Sequence, residues 1–333
     1  MSSQAVDWEI PISIQLTITS EVIMKKVRNC LCLLLLSSAA WATPLGSSAR
    51  TVIPSDVQQI ISVDYRALRN SETAQVLKEQ VLPESLKQFE GALKSVGINP
   101  EKDVEQLTFA SYRSGRQGVR IVGVAQGFFP TKTVLRKMRL NKVKPVKYRD
   151  AFTYPMPGGM QMTFLDDSTL LFGDMGALKG ALDARDGFAS SLDSNQQIAD
   201  MIGSVDSGMV WSVLDQQGTQ NIMRSALLDS STLADYETVK KRLLGSRYTM
   251  NFSNGVAFDL DVVTSDSMTA TTLSSLVRAG VLYRKMTANA TEKMALESVT
   301  VNSDSSNLQL HFRTDDKKFQ ALLHSELFAA VSK

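Results

Sequence analysis

The sequence predicts an α+β fold of two tandem split-βαβ-like units, with antiparallel sheets and helices covering one face. Three observations carry that prediction. Segments with an apolar period of 2 alternate with segments of period 3.6 along residues 51–333. The strand-like segments come in pairs around short turns such as Ser114-Gly115 and Asn254-Gly255, which makes them antiparallel. After the Ser/Asp/Gly-rich "RDGFASSLDSN" the βαββα order starts again, although the letters hardly repeat. The units are drawn at 51–187 and 204–333, with a connector over 188–203 and a linker over 43–50. A single domain whose elements share one sheet is the alternative.

In the first unit "VQQIISVDY" (57–65) is a strand, and "ETAQVLKEQVL" (72–82) and "PESLKQFEGALKSVG" (83–97) are helices. The second of these helices carries Leu86, Phe89, Leu93 and Val96 on one stripe, with Pro83 near its start and Gly97 at its stop. "VEQLTFASYR" and "GVRIVGVAQG" form a hairpin, "TKTVLRKMRLN" (131–141) a helix, and "VKYRDAFTYPM" (146–156) one strand. "MQMTFLDDSTLLFGD" turns at Asp166 to Thr169, where Asp satisfies its own backbone, and "MGALKGALDARDG" closes the unit as a helix.

In the second unit "MVWSVLDQ" (209–216) is a strand, followed by helices "TQNIMRSALL" and "TLADYETVKKRLLG" (232–245). "SRYTMNFSNGVAFDLDVV" is a hairpin with Asn254-Gly255 as a two-residue turn. Its alternation sets Tyr248, Met250, Phe258, Leu260 and Val262 against Thr249, Asn251, Asp259 and Asp261, which is a sheet with one wet face. A long helix (267–286), a hairpin (297–315) and a closing helix (317–331) complete the chain.

Localisation is read from "MKKVRNCLCLLLLSSAAWATP". A basic start at Met24, an apolar run from Cys30 to Leu36 and the small-residue ending Ala40-Trp41-Ala42 make a signal peptide over 24–42, cleaved before Thr43. The run is shorter than the ~20 residues that span a bilayer, so no transmembrane anchor is expected after cleavage. Residues 1–23 then form a dispensable extension ahead of the initiator. Cys30 and Cys32 are the only cysteines and both lie in the signal, so the processed chain is free of thiol chemistry, disulfides and cysteine metal sites. The expected location is the periplasm or the medium.

The stretch "AFTYPMPGGMQMTFLDDSTLLFGDMGALKGALDARDG", with "IPSDVQQIISVDYRALRNS" and "VGINPEKDVEQLTFASY", resembles uncharacterised exported bacterial proteins. In that pattern a tyrosine-rich strand precedes a hairpin carrying "FLDD", a strand ending in Gly and a short "AL..ALD" helix. The resemblance covers residues 52–187 and implies export and an α+β fold, with no activity and no functional residue to carry over. Where the pattern has a glycine after Tyr148, this chain has Arg149-Asp150.

No motif in the chain names a reaction. His311 and His324 are the only histidines, without H-E-x-x-H spacing, and are read as a wet-face and a helix-flank residue. Asp259 and Asp261 share a strand face as solvated charges. "GDMGALKG" lacks the spacing of a phosphate loop; Gly173 makes the turn and Asp174 caps the helix. No G-x-S-x-G or S-x-x-K setting is present. Catalytic, cofactor and metal residues are therefore assigned to none, and no cofactor is expected.

Charge distribution is the one unusual feature. From Gln106 to Arg149 there are eleven Lys or Arg and no Asp or Glu, in a chain whose net charge is only +2. Part of this has a structural reading: Lys144, Lys147 and Arg149 would guard a sheet edge, and Lys132, Arg136 and Arg139 would form a solvated helix face. The candidate anion-binding patch is Lys132, Arg136, Arg139, Lys142, Lys144, Lys147 and Arg149. Its expected partners are anionic envelope lipid or polysaccharide, or another envelope protein; nucleic acid is not expected, because few aromatics stand ready to stack on bases. A non-enzymatic binding or scaffolding module is the leading reading, and a secreted hydrolase of unknown substrate the alternative.

Overall fold

The computed structural model describes residues 45–81, 84–115, 118–226 and 234–323, with side chains from 78 to 89 and from 224 to 237 left aside. The described residues all fall in one compact unit, 42–333. The expected extension and signal peptide, together with His324 and the end of the closing helix, lie outside the described residues. All elements below belong to that unit.

Helix α1 (Ser47–Val52) leads into β1 (Val57–Asp64), α2 (Tyr65–Leu68), α3 (Glu72–Val81), α4 (Glu84–Val96) and α5 (Pro100–Asp103). The hairpin β2 (Val104–Arg113) and β3 (Val119–Gly127) is followed by α6 (Thr131–Leu140), β4 (Val146–Tyr148) and β5 (Ala151–Pro155). Then come β6 (Gln161–Phe164), β7 (Thr169–Gly173), α7 (Met175–Arg185) and α8 (Gln196–Gly203). The later half holds β8 (Val210–Leu214), α9 (Gln216–Ala226), α10 (Ala234–Lys241), β9 (Leu243–Asn251) and β10 (Val256–Thr264). It ends with α11 (Ser267–Thr287), α12 (Ala290–Glu297), β11 (Val299–Asp304), β12 (Asn307–Thr314) and α13 (Asp316–Leu323).

Among the described residues the strands form one 12-stranded sheet in the order β11-β12-β10-β9-β8-β1-β2-β3-β7-β6-β5-β4. Every strand pair in it is antiparallel, as expected for this α+β fold. The strands of 51–187 and of 204–333 are joined through β1 and β8, with Ile60 opposite Val213 and Ser62 opposite Trp211. Each half runs outward from that seam in the same order: β1, β2, β3 then β7 on one side, β8, β9, β10 then β12 on the other.

Helices cover one face in the later half and both faces in the earlier one. Ile60, Ala110, Val122, Val124, Leu171, Trp211 and Val213 point to one side, against Ala49 and Val52 of α1, Ala177 and Leu182 of α7, and Ile198 and Ile202 of α8. Leu107, Ala125, Leu170, Phe172 and Met162 point to the other, against Ala92 and Leu93 of α4 and Val134 and Met138 of α6. Burying both faces explains why β7 and the middle of β3, residues 122–125, read as nearly continuous apolar runs. In β10 and β12 the alternation is clean: Val262 and Leu308 pack under Leu273 of α11, while Asp259, Asp261 and His311 stay on the uncovered side.

Four local expectations are corrected. "VKYRDAFTYPM" is two strands, because Arg149 adopts a left-handed backbone (φ 53°) and turns the chain back, pairing Tyr148 with Ala151. The helix expected over 232–245 ends at Lys241, since Leu243 and Gly245 are drawn into β9 to bury Leu243. The connector carries α8, capped by the Asn195 side chain on Ile198 N, and a helix unforeseen in the sequence, α12, is capped by Asn289. The last regular pair of the β9–β10 hairpin is Asn251 with Ala257, so its loop is longer than the two residues Asn254-Gly255.

Candidate functional site

The basic residues are set out by α6 and by the edge strand β4. Helix α6 buries Val134 and Met138. At 100° per residue the opposite stripe is Lys132, Arg136 and Leu140, with Arg139 beside it, and all four are exposed. Lys137 and Arg139 lie in the last turn, where a cation complements the helix dipole, and this accounts structurally for part of the charge. The helix closes with Lys142 N donating to Arg139 O (3.0 Å) and Val143 N to Met138 O (3.0 Å), while Val143 packs back on the core. That closure puts Lys142 at φ 56°, a position glycine ordinarily fills, at a cost of about 1–2 kcal/mol for a side chain.

Beyond Lys142 the chain runs through Lys144 and Pro145 into β4, which is the end of the sheet. Edge lysines here match the expected guarding of an unpaired edge. Lys132, Arg136, Arg139, Lys142, Lys144 and Lys147 are all exposed, and among the described residues none has a carboxylate within 4.0 Å. Most arginines elsewhere differ: Arg50 pairs with Asp193, Arg113 with Asp215, Arg120 with Asp174, Arg247 with Asp261 and Arg313 with Asp259.

Arg149 belongs with the paired group. Its Nε donates to Asp183 Oδ1 at 2.6 Å, and its guanidinium lies 3.5 Å from the centre of the Phe188 ring. Tyr148 donates to the same carboxylate at 2.9 Å, and this raises the Tyr148 hydroxyl's pKa. Arg149 thus stands where the resembling pattern has glycine, and its strained turn is held by α7. It is set apart from the six free cations. The sequence shows the charge but not this pairing, because Asp183 is distant in the chain and reaches Arg149 only when α7 packs on the sheet.

His311 lies on the uncovered face of β12. Its Nδ1 is 2.6 Å from Asp259 Oδ1, and Arg313 donates to both oxygens of Asp259 at 2.7 and 2.8 Å. Partial burial pushes the Asp259 carboxyl up, but the bonds from His311 and Arg313 together outweigh it and hold the group below the ordinary aspartate value. Arg247 and Asp261 pair one row away, at 3.1 Å. The two aspartates expected as solvated charges are therefore cross-strand ion-pair partners on a flat surface. Asp174 does cap α7, accepting from Ala177 N at 2.9 Å. Among the described residues no three of His, Cys, Asp and Glu converge as metal ligands would.

A polar hollow of ≈ 250 Å³ opens elsewhere, lined by residues that include Asp56, Arg113, Asn195, Gln197 and Asp215. Two of its charges are paired: Arg113 donates to Asp215 Oδ2 at 2.6 Å, and Asp215 Oδ1 accepts from Gly218 N at 2.7 Å to start α9.

No protein-family model matches the chain, and no curated protein does. Solved structures of TP0453 are similar at a low level. Crystal form I has a TM-score of 0.47 with 7% identity, over 85% of this chain and 96% of that one. Form III has 0.47 and 9%, over 82% and 96%, and form IV has 0.44 and 8%, over 86% and 98%. No described helix is long and apolar enough to cross a membrane.

Proposed function

We propose that this is a non-enzymatic, exported envelope protein that docks on an anionic surface through α6, the segment after it and β4. The observation that carries the reading is the set Lys132, Arg136, Arg139, Lys142, Lys144 and Lys147: exposed, close in sequence, and without acidic partners within 4.0 Å among the described residues. Solvated charges with no internal partner contribute little to folding, whereas together they set up a positive field that gathers anionic lipid head groups or polysaccharide. The alternative, a hydrolase, would need a nucleophile or an activated water held near His311. His311 and Asp259 instead lie on an open strand face, and Arg313 occupies both oxygens of the carboxylate.

Replacing Lys132, Arg136 and Arg139 with Gln removes three charges from one helix face and leaves helix propensity nearly unchanged. The variant is expected to fold as wild type and to bind anionic vesicles or dextran sulfate at least tenfold more weakly in low salt. Wild-type binding should fall as the Debye length shrinks from about 30 Å at 0.01 M to about 8 Å at 0.15 M salt. Equal, salt-independent retention of both proteins would refute the reading. Export rests separately on the 24–42 segment. Intact mass of protein recovered outside the cytoplasm should begin at Thr43, and a cytoplasmic product retaining residues 1–42 would contradict it.

A further inference from the structure

We infer that the anionic surface is a lipid bilayer, and that Leu140 and Phe152 enter its interface while the surrounding cations engage head groups; the inference rests on the cationic docking surface proposed above. Leu140 is 76% exposed and continues the outward stripe of Lys132 and Arg136, on the side of α6 opposite buried Val134 and Met138. Phe152 is 49% exposed and sits directly across from Lys147 in the β4–β5 pair. It has the parity of Tyr154, which pairs with Met162 and packs in the cluster that holds Val134 and Met138. Lys147 and Phe152 therefore lie on the sheet face that carries α6.

Single exposed apolar residues need no explanation, but a leucine on the same helix face as Lys132 and Arg136, and a phenylalanine opposite Lys147 on the side of the sheet that carries that helix, match one environment in particular. At the boundary of head groups and acyl chains, apolar side chains leave water while long Lys and Arg side chains reach back to phosphate. An acidic polysaccharide offers the charge without the apolar phase. Strand addition by a protein is opposed at this edge, because β4 has only three residues and is flanked by Lys144 and Pro145. The cationic surface has a limit. At the other end of α6, exposed Phe128 and its neighbour Phe129 are bonded through their main chains to two aspartates, Phe128 N donating to the Asp103 carbonyl and Phe129 N to the Asp167 carbonyl, and Phe128 is left out of the inserted set.

The test uses three proteins: wild type, Leu140→Ser with Phe152→Ser, and the Lys132/Arg136/Arg139→Gln variant. Each is tested on phosphatidylcholine vesicles with and without phosphatidylglycerol, and on dextran sulfate beads, after circular dichroism shows native folding. Wild type should sediment with the anionic vesicles. The double Ser variant should bind them about tenfold more weakly, since two partly buried apolar side chains are lost, and should bind dextran sulfate like wild type. The charge variant should lose both. Double Ser binding vesicles as tightly as wild type would overturn the bilayer inference and leave the cationic surface standing. Wild type held by dextran sulfate but not by anionic vesicles would assign the surface to polysaccharide instead. Wild type held by neither would end both readings.

Discussion

Replacing Trp211 with Ala should lower stability by about 3–5 kcal/mol and unfold the two halves of the sheet together. Trp211 is 1% exposed and stands on β8, opposite Ser62 of β1 on one side and Thr249 of β9 on the other. Its cluster draws Ile60, Ala110 and Val122 from the earlier half and Val213 from the later one. A cavity at that position removes contacts from both sides of the seam, so both halves are destabilised together. For a unit of this size each kcal/mol moves Tm by roughly 2–4 °C, which predicts a single calorimetric transition lowered by about 6–20 °C. A variant in which part of the molecule still melts at the wild-type temperature would show instead that the halves are separate cooperative units. In a chain processed at Thr43, Trp211 is the only tryptophan, so wild-type fluorescence reports directly on the seam.

The second large effect is expected at Gly127. A Cβ built there would lie 1.9 Å from Asp103 O and 3.0 Å from Val104 Cα, which are main-chain atoms that no rotamer change can move. Asp103 O is also held by Phe128 N at 2.9 Å, so the two chain segments are fixed to each other at this point. Gly127→Ala should cost about 3 kcal/mol by overpacking. Because Gly127 ends β3 just before Phe129 and Pro130 launch α6, the variant should also bind anionic vesicles more weakly than its remaining folded fraction accounts for. Chemical denaturation within ~0.5 kcal/mol of wild type would show that the backbone shifts freely there and would remove the argument.

The site was legible in part. Eleven basic residues without an acid between Gln106 and Arg149 mark the region from composition alone, and the spacing of Lys132, Arg136 and Arg139 gives their helix face. In sequence Arg149 groups with them, because a sequence shows charge, not pairing; Asp183 reaches it only through the packing of α7. Leu140 and Phe152 are not distinguishable in sequence, since an apolar residue in a helix or strand reads as core until its neighbours are placed.

Class and antiparallel order follow from local physics: the apolar period of each segment, the turn residues between them and caps such as Asp174 act within a few residues and are written in the chain. The split of "VKYRDAFTYPM", the joining of β1 to β8 and the covering of both faces in the earlier half do not. A strand seam is chosen by matching Ile60 to Val213 and Ser62 to Trp211 across 150 residues, and a second helical layer by which apolar faces remain to be buried. Those are long-range contacts whose free energy depends on every element being in place, so they are settled only when the whole sheet has formed.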